Sequence, residues 1–176
     1  IKLLLEDRSI TYENTQARER TQILMDVANK ENGLVVGTGD LSELVLGWCT
    51  YNGDHMSMYA VNSSIPKTLV RYLVEYFALK EKDKECKQTI LDILDTPISP
   101  ELLPPDKKDN IKQQTELVVG PYVLHDFFIY HFMRYGASIK KINYLACHTF
   151  KGMYDEKEIA KWLKFFVKRF FSQQFK

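Results

Sequence analysis

The sequence predicts an α/β fold in which helices outweigh strands, and three observations predict it. The apolar run Leu34-Val35-Val36 follows a helical pattern and a glycine and precedes another helical pattern, as a buried parallel strand in an αβα unit does. A second run, Ser57-Met58-Tyr59-Ala60-Val61-Asn62, lies between turn residues and a helix start. From Pro121 onward apolar residues keep a helical period almost to the C-terminus, so the strands lie early and the helices crowd the second half.

In chain order, the first helix is expected from Asn14, whose side chain can cap an otherwise unpaired backbone N–H, to Lys30. Ala17, Leu24, Val27 and Ala28 form its apolar stripe, with Ile23 at the edge and Asn32-Gly33 closing it. After the first strand, Gly37-Thr38-Gly39 turns the chain. Asp40 or Ser42 then caps a helix holding Leu41, Leu44, Val45 and Trp48. Tyr51-Asn52-Gly53-Asp54 is turn chemistry. Ser64-Ile65-Pro66 opens a helix with Leu69, Val70, Leu73, Tyr76 and Phe77 in period, and Cys86 to Leu94 makes a shorter one. Thr96 to Thr115 holds four prolines and a Lys/Asp cluster and reads as a long surface loop. Pro121 starts a helix, apolar nearly all round, that runs through Phe132, and such a helix is buried on several sides. Ser138 caps the next helix. Asp155 caps the last, where Ile159, Trp162, Leu163, Phe166, Val167, Phe170 and Phe171 keep the period.

The 176 residues suffice for one domain, and 45 % hydrophobic with 27 % charged residues excludes disorder. Twenty-four basic against 23 acidic residues give a net charge of +1, which argues against a chain wrapped around nucleic acid. No apolar run approaches the roughly 20 residues of a membrane helix. Three widely spaced cysteines, Cys49, Cys86 and Cys147, fit a reducing, cytoplasmic interior better than a disulfide framework or structural zinc. The opening IKLLLEDRSI is too charged for a signal peptide, and the chain is expected to be a piece of a longer one.

The strand–turn–helix GLVVGTGDLSE carries the best chemistry. A small-residue turn at the carboxyl end of a parallel strand can point backbone N–H groups at an anion, with Gly37 and Gly39 allowing close approach and Thr38 offering a hydroxyl. The turn is neither a Gly-x-Gly-x-x-Gly nor a Walker sequence, so a plain tight βα turn explains it equally. Glu43 can hold a Mg²⁺ that bridges phosphates, or it can complement the helix dipole. Lys67 can reach a phosphate or be solvated. Arg18 and Arg20 point to different faces, so at most one of them meets a given ligand. His55, His125, His131 and His148 lack metal-ligand spacing, and Cys49 has no nearby acid or base. Lys157, Lys161, Lys164, Lys168 and Arg169 form a basic face on the last helix that is either solvated or ready for an acidic partner.

Six segments occur in one order: TYENTQARER, GTGDLSELVLGWCTYNGDHMSMYAVN, PKTLVRYLV, ILDTPISPELLP, QTELVVGPYVLHDFFIYHFMRYG and WLKFFVKRFFSQQFK. Together they resemble the synthetase domain of the NAD⁺ synthases, in the longer glutamine-dependent branch, over nearly the whole chain. The resemblance implies an adenine-nucleotide α-hydrolase-like, Rossmann-like α/β fold, with residues 1–176 forming part of that domain. It implies an ATP-dependent amidation, in which ATP adenylates the nicotinate carboxylate of deamido-NAD⁺ and ammonia, from glutamine or free ammonium, expels AMP. It further implies ATP contacts at Thr38, Lys67 and Ser99, and Mg²⁺ at Glu43. Deamido-NAD⁺ contacts are implied at Asn14, Arg18, Glu43, Trp48, Cys49, Thr50, Tyr51 and Lys176, and the protein is expected to be a homodimer or a higher homo-oligomer. No residue is singled out as catalytic.

The family's Ser-Gly-Gly-x-Asp-Ser phosphate loop and its glutaminase half do not occur in this sequence. A non-catalytic dinucleotide-binding module of the same ancestry is therefore the competing reading. A nucleic-acid-binding domain built on the basic last helix is disfavoured by the neutral overall charge.

Overall fold

The computed structural model describes residues 10–96 and 115–176. Along these the chain forms α1 (Ile10–Lys30), β1 (Val36–Gly37), α2 (Leu41–Leu46), β2 (Tyr59–Ala60), α3 (Lys67–Lys80) and α4 (Lys84–Asp95). There follow α5 (Thr115–Val119), α6 (Tyr122–Ile129), a π-helical turn (Tyr130–Arg134), α7 (Ile139–Thr149) and α8 (Glu156–Ser172). The class is α/β and helix-rich, as expected. β1 and β2 pair in parallel, Val36 opposite Tyr59 and Gly37 opposite Ala60, and α2 lies in the crossover between them.

The core gathers around α6, which packs against α2, α3, α7 and α8. Leu46, Leu124, Phe128, Ile142, Ala146, Ile159 and Phe166 are wholly enclosed there. The C-terminal caps fall where the sequence puts them. Ser138 accepts from Lys141 N and Asp155 accepts from Glu158 N, satisfying amides that a helix leaves unpaired in its first turn. The long apolar helix stops at Ile129 and continues as the π-turn, so it is shorter than expected. Its burial is intramolecular: Phe128 is wholly buried between Phe166 and His125. Phe128→Asp is therefore expected to unfold the domain, since an unpaired buried carboxylate costs several kcal/mol. Loss of the far-ultraviolet circular dichroism signal checks this, and a folded, stable variant would overturn the placement of α6.

The N-terminal half departs from expectation in four ways. The helix of α1 already includes Ile10, so Asn14 lies inside it and caps nothing. Its stripe is half bare: Ala17 and Ala28 are buried, but Ile23, Leu24 and Val27 are each at least half exposed, because no described element covers them. The strands are two residues each rather than three and six. Leu34 and Val36 are exposed rather than buried, since the two-stranded ribbon has no layer over that face among the described residues.

α2 ends at Leu46, and Gly47 turns the chain in the left-handed region (φ 57°) with Trp48 N donating to Glu43 O, a Schellman closure that leaves Trp48 outside the helix. α4 starts at Lys84, capped by Asp83. Most of the expected 96–115 loop, Ser99 included, lies outside the described residues.

Candidate functional site

Two clusters of side chains form at opposite ends of α2. At its N-terminus Asp40 is the cap, and with Glu43 it makes a complete capping box. Glu43 N donates to Asp40 Oδ1 at 2.9 Å and Asp40 N donates to Glu43 Oε2 at 3.2 Å. Ser42, the other candidate cap, is instead buried and bridges to other helices. Into the box reaches Lys67, the first residue of α3. Its Nζ stands 2.6 Å from Asp40 Oδ2 and 2.8 Å from Glu43 Oε1, and 5.2 Å from the centre of the Tyr122 ring.

This lysine is partly buried rather than solvated. Burial alone would lower its pKa, but the Glu43 and Asp40 carboxylates outweigh that, and it sits above the ordinary lysine range. The Tyr122 ring is buried, and its hydroxyl has no hydrogen-bond partner among the described residues. Burial first, then Glu43 and Asp40, push its pKa up, so it stays a neutral donor. Thr38 is exposed at the carboxyl end of β1, next to this cluster in sequence. At Gly37 an added Cβ would collide with the Ser57 side chain, so the close pairing of β1 with β2 accounts for that glycine.

Amides at the start of α2 are thus taken rather than presented to an anion: Asp40 N and Glu43 N end on carboxylates, and Leu41 N donates to Ile65 O at 3.0 Å. The cluster carries two acids and one base, an arrangement that suits a cation or a cation-bound phosphate better than a bare anion. Among the described residues no three His, Cys, Asp or Glu side chains converge as a metal cage.

At the other end of α2, the segment 47–51 is held by the C-terminus of the chain. Arg169 donates from Nε to Leu46 O at 2.8 Å and from Nη2 to Gly47 O at 2.9 Å. Gln174 donates to Val45 O, and Lys176 Nζ donates to Gly47 O at 2.9 Å and Cys49 O at 3.0 Å. These groups answer the carbonyls a helix leaves unpaired at its C-terminus, where positive charge is favourable. Arg169 therefore leaves the solvated basic face to which its sequence position assigned it, and it also covers the Trp48 ring at 5.5 Å. Tyr51 meets the Phe175 ring at 5.8 Å. Thr50 is buried, donates its N–H to Asp54 and gives its carbonyl to His55 Nδ1. Burial pushes the Cys49 thiol up despite Lys176, so it stays a thiol rather than a thiolate nucleophile. From α1, Ala17 packs over Gly53, and Arg18 Nη1 reaches toward Tyr51 O at 3.4 Å. Asn14 stands one turn before Arg18 on the same helix face.

Of the residues singled out in the sequence, Arg18, Trp48, Cys49, Thr50, Tyr51 and Lys176 meet at one end of α2, and Glu43 and Lys67 meet at the other. Sequence reasoning missed Tyr122 and also Asp126, the residue of α6 that accepts from Ser42 Oγ, and it read Arg169 only as part of the basic face of the last helix. A lone acid in an otherwise apolar helix was the available signal for Asp126, since a buried carboxylate needs donors.

A short parallel pair with a helix in the crossover between its strands, and side-chain clusters gathered at both ends of that helix, defines an α/β chain. Residues 3–92 match the family model described as NAD synthase, and the chain belongs to that family. It is 41 % identical to a glutamine-dependent NAD(+) synthetase of Mycobacterium leprae over 186 aligned positions, covering 95 % of this chain and 27 % of that protein. The namesake from Mycobacterium tuberculosis H37Rv is 40 % identical over the same shares. The chain thus spans about a quarter of the length of these curated relatives. Two solved structures share the fold at 21 % identity. The glutamine-dependent NAD(+) synthetase from Cytophaga hutchinsonii has a TM-score of 0.68 over 98 % of this chain and 25 % of that one. The NMN synthetase from Francisella tularensis has a TM-score of 0.59 over 92 % and 52 %.

Proposed function

We propose that residues 1–176 are part of the synthetase domain of a glutamine-dependent NAD⁺ synthase, a ligase that amidates deamido-NAD⁺ with ATP. The observation that carries the reading is the grouping of residues from distant parts of the chain at the two ends of α2, in a chain of this family. A carboxylate is a poor electrophile until one oxygen becomes a leaving group. In the proposed reaction a nicotinate oxygen attacks the α-phosphorus of ATP and pyrophosphate leaves. Ammonia then attacks the acyl carbon, loses a proton, and AMP departs with the C–O electron pair.

In this reading Thr38 and Lys67, with Ser99, contact ATP. Asn14, Arg18, Glu43, Trp48, Cys49, Thr50, Tyr51 and Lys176 face deamido-NAD⁺, with the rings of Trp48 and Tyr51 suited to a planar, electron-poor pyridinium. Glu43 would hold Mg²⁺, since such an ion is commonly bound through only one or two protein carboxylates. When bound, it offsets the charge on the transferring phosphates. A homo-oligomer belongs to the proposal, and the bare apolar positions Ile23, Leu24 and Val27 of α1 are available to it.

The test is NAD⁺ formation by the longest native polypeptide containing this chain, supplied with deamido-NAD⁺, Mg-ATP and either ammonium or glutamine. Turnover that needs the dinucleotide, ATP and a nitrogen source together is expected. No turnover beside an active control synthetase would overturn the reading in favour of a non-catalytic relative.

A further inference from the structure

Lys67 is the first residue of α3, and the preceding residue, Pro66, has neither a capping side chain nor an N–H. The start of this helix is fixed from outside. Asp126 on α6, 9 % exposed, accepts from Thr68 N at 2.9 Å and from Thr68 Oγ1 at 2.6 Å through Oδ2. Through Oδ1 it accepts from Ser42 Oγ at 2.5 Å, and Ser42 Oγ in turn accepts from Lys67 N at 2.9 Å. Both opening amides of α3 therefore end on Asp126, one directly and one through Ser42.

No Lys or Arg side chain pairs with this carboxylate among the described residues. Its charge is balanced by the dipoles of three hydrogen-bond donors, Ser42 Oγ, Thr68 N and Thr68 Oγ1, and by the N-terminus of α3, where negative charge is favoured. One turn earlier on the same face of α6, Tyr122 lays its ring beneath Lys67 Nζ. A single helix thus supplies both the anchor for the lysine's backbone and the platform for its ammonium group.

We propose that Asp126 is the positioning residue that holds Lys67 in its pair with Asp40 and Glu43, acting through Ser42 and the first turn of α3. It deepens the proposed function at the ATP end, and its ATP arm rests on that reading, whereas its labelling arm does not.

The test compares Asp126→Asn and Ser42→Ala with the parent in the longest native polypeptide containing this chain. Competitive acetylation read by mass spectrometry reports lysine accessibility without any substrate. In both variants the Lys67 rate is expected to rise about tenfold relative to exposed Lys164, the change that loss of about 1.4 kcal/mol of holding energy gives. Lys176, held at the far end of α2, is expected to stay unchanged. In the second arm KM for Mg-ATP rises about tenfold, more than KM for deamido-NAD⁺, and in a Lys67→Met background neither variant raises the ATP value further. Unchanged Lys67 labelling, or Lys67 and Lys176 rising together, overturns the proposal, the latter by revealing general loosening. Should Asp126→Asn not fold, Ser42→Ala decides alone. If Lys67→Met leaves KM for ATP untouched, the ATP reading of Lys67 falls, and the labelling result still decides what Asp126 does.

Discussion

Glu43→Gln is expected to leave α2 folded while raising the Mg²⁺ needed for half-maximal NAD⁺ formation roughly 10- to 100-fold, the range for a disturbed metal-binding carboxylate. The fold survives because a glutamine carbonyl can still accept from Asp40 N, and the capping box tolerates either residue at that position. Lys67 keeps its shorter contact to Asp40 at 2.6 Å, so the buried ammonium group is not left unpaired. What the variant removes is one formal charge from a cluster of two acids and one base, leaving a neutral pair with nothing to attract a cation. The measurement is a Mg²⁺ titration of turnover at saturating ATP, with circular dichroism confirming the fold. A Mg²⁺ dependence equal to the parent's would take Glu43 out of the metal assignment and leave it as a helix cap and a partner of Lys67.

What the sequence discloses here follows how local each determinant is. The cap at Asp155 and the apolar rhythm of α8 lie within a few residues of one another, and both hold in the structure as far as Phe170, whereas Phe171, the last residue of the expected stripe, is exposed. α1 shows the limit of such patterns, because its stripe at Leu24 and Val27 is genuine in period but bare in space. Periodicity gives a face and not the partner that covers it. The choice between Asp40 and Ser42 as cap was not decidable locally, since Ser42 is drawn inward by Asp126, 84 residues away. Lys67 looked like any first-turn lysine. Its pairing depends on the loop before α2 and the start of α3 arriving at one point, which no spacing encodes. Arg169 sits in register with the solvated lysines of α8, yet it turns to the carbonyls that end α2. Candidate contacts such as Asn14, Cys49 and Lys176 rest on the family resemblance and not on physical spacing.

Gly47→Ala is expected to destabilise the domain by about 2–5 kcal/mol and to weaken deamido-NAD⁺ binding more than ATP binding. Two costs act at this position. Its φ of 57° lies where a side chain costs about 1–2 kcal/mol. An added Cβ would also collide with the side chain of Gln173, in the segment that carries Gln174, Phe175 and Lys176. That segment cannot retreat freely, because its polar contacts end on carbonyls of Val45, Gly47 and Cys49. Relief of the clash therefore pulls the C-terminus off the 47–51 turn, parting Phe175 from Tyr51 and freeing Lys176. The Asp40–Glu43–Lys67 cluster lies at the other end of α2 and keeps its contacts, so ATP binding is spared while deamido-NAD⁺ loses its contacts on the 47–51 turn and at Lys176, retaining the one at Glu43. Gly136→Ala isolates the first cost, since Gly136 has nearly the same φ, 58°, with nothing near the added Cβ. Thermal unfolding of both variants, with KM for each substrate, makes the comparison. Equal destabilisation at the two glycines, or equal rises in both KM values for Gly47→Ala, would show that the C-terminal segment does not bear on that turn.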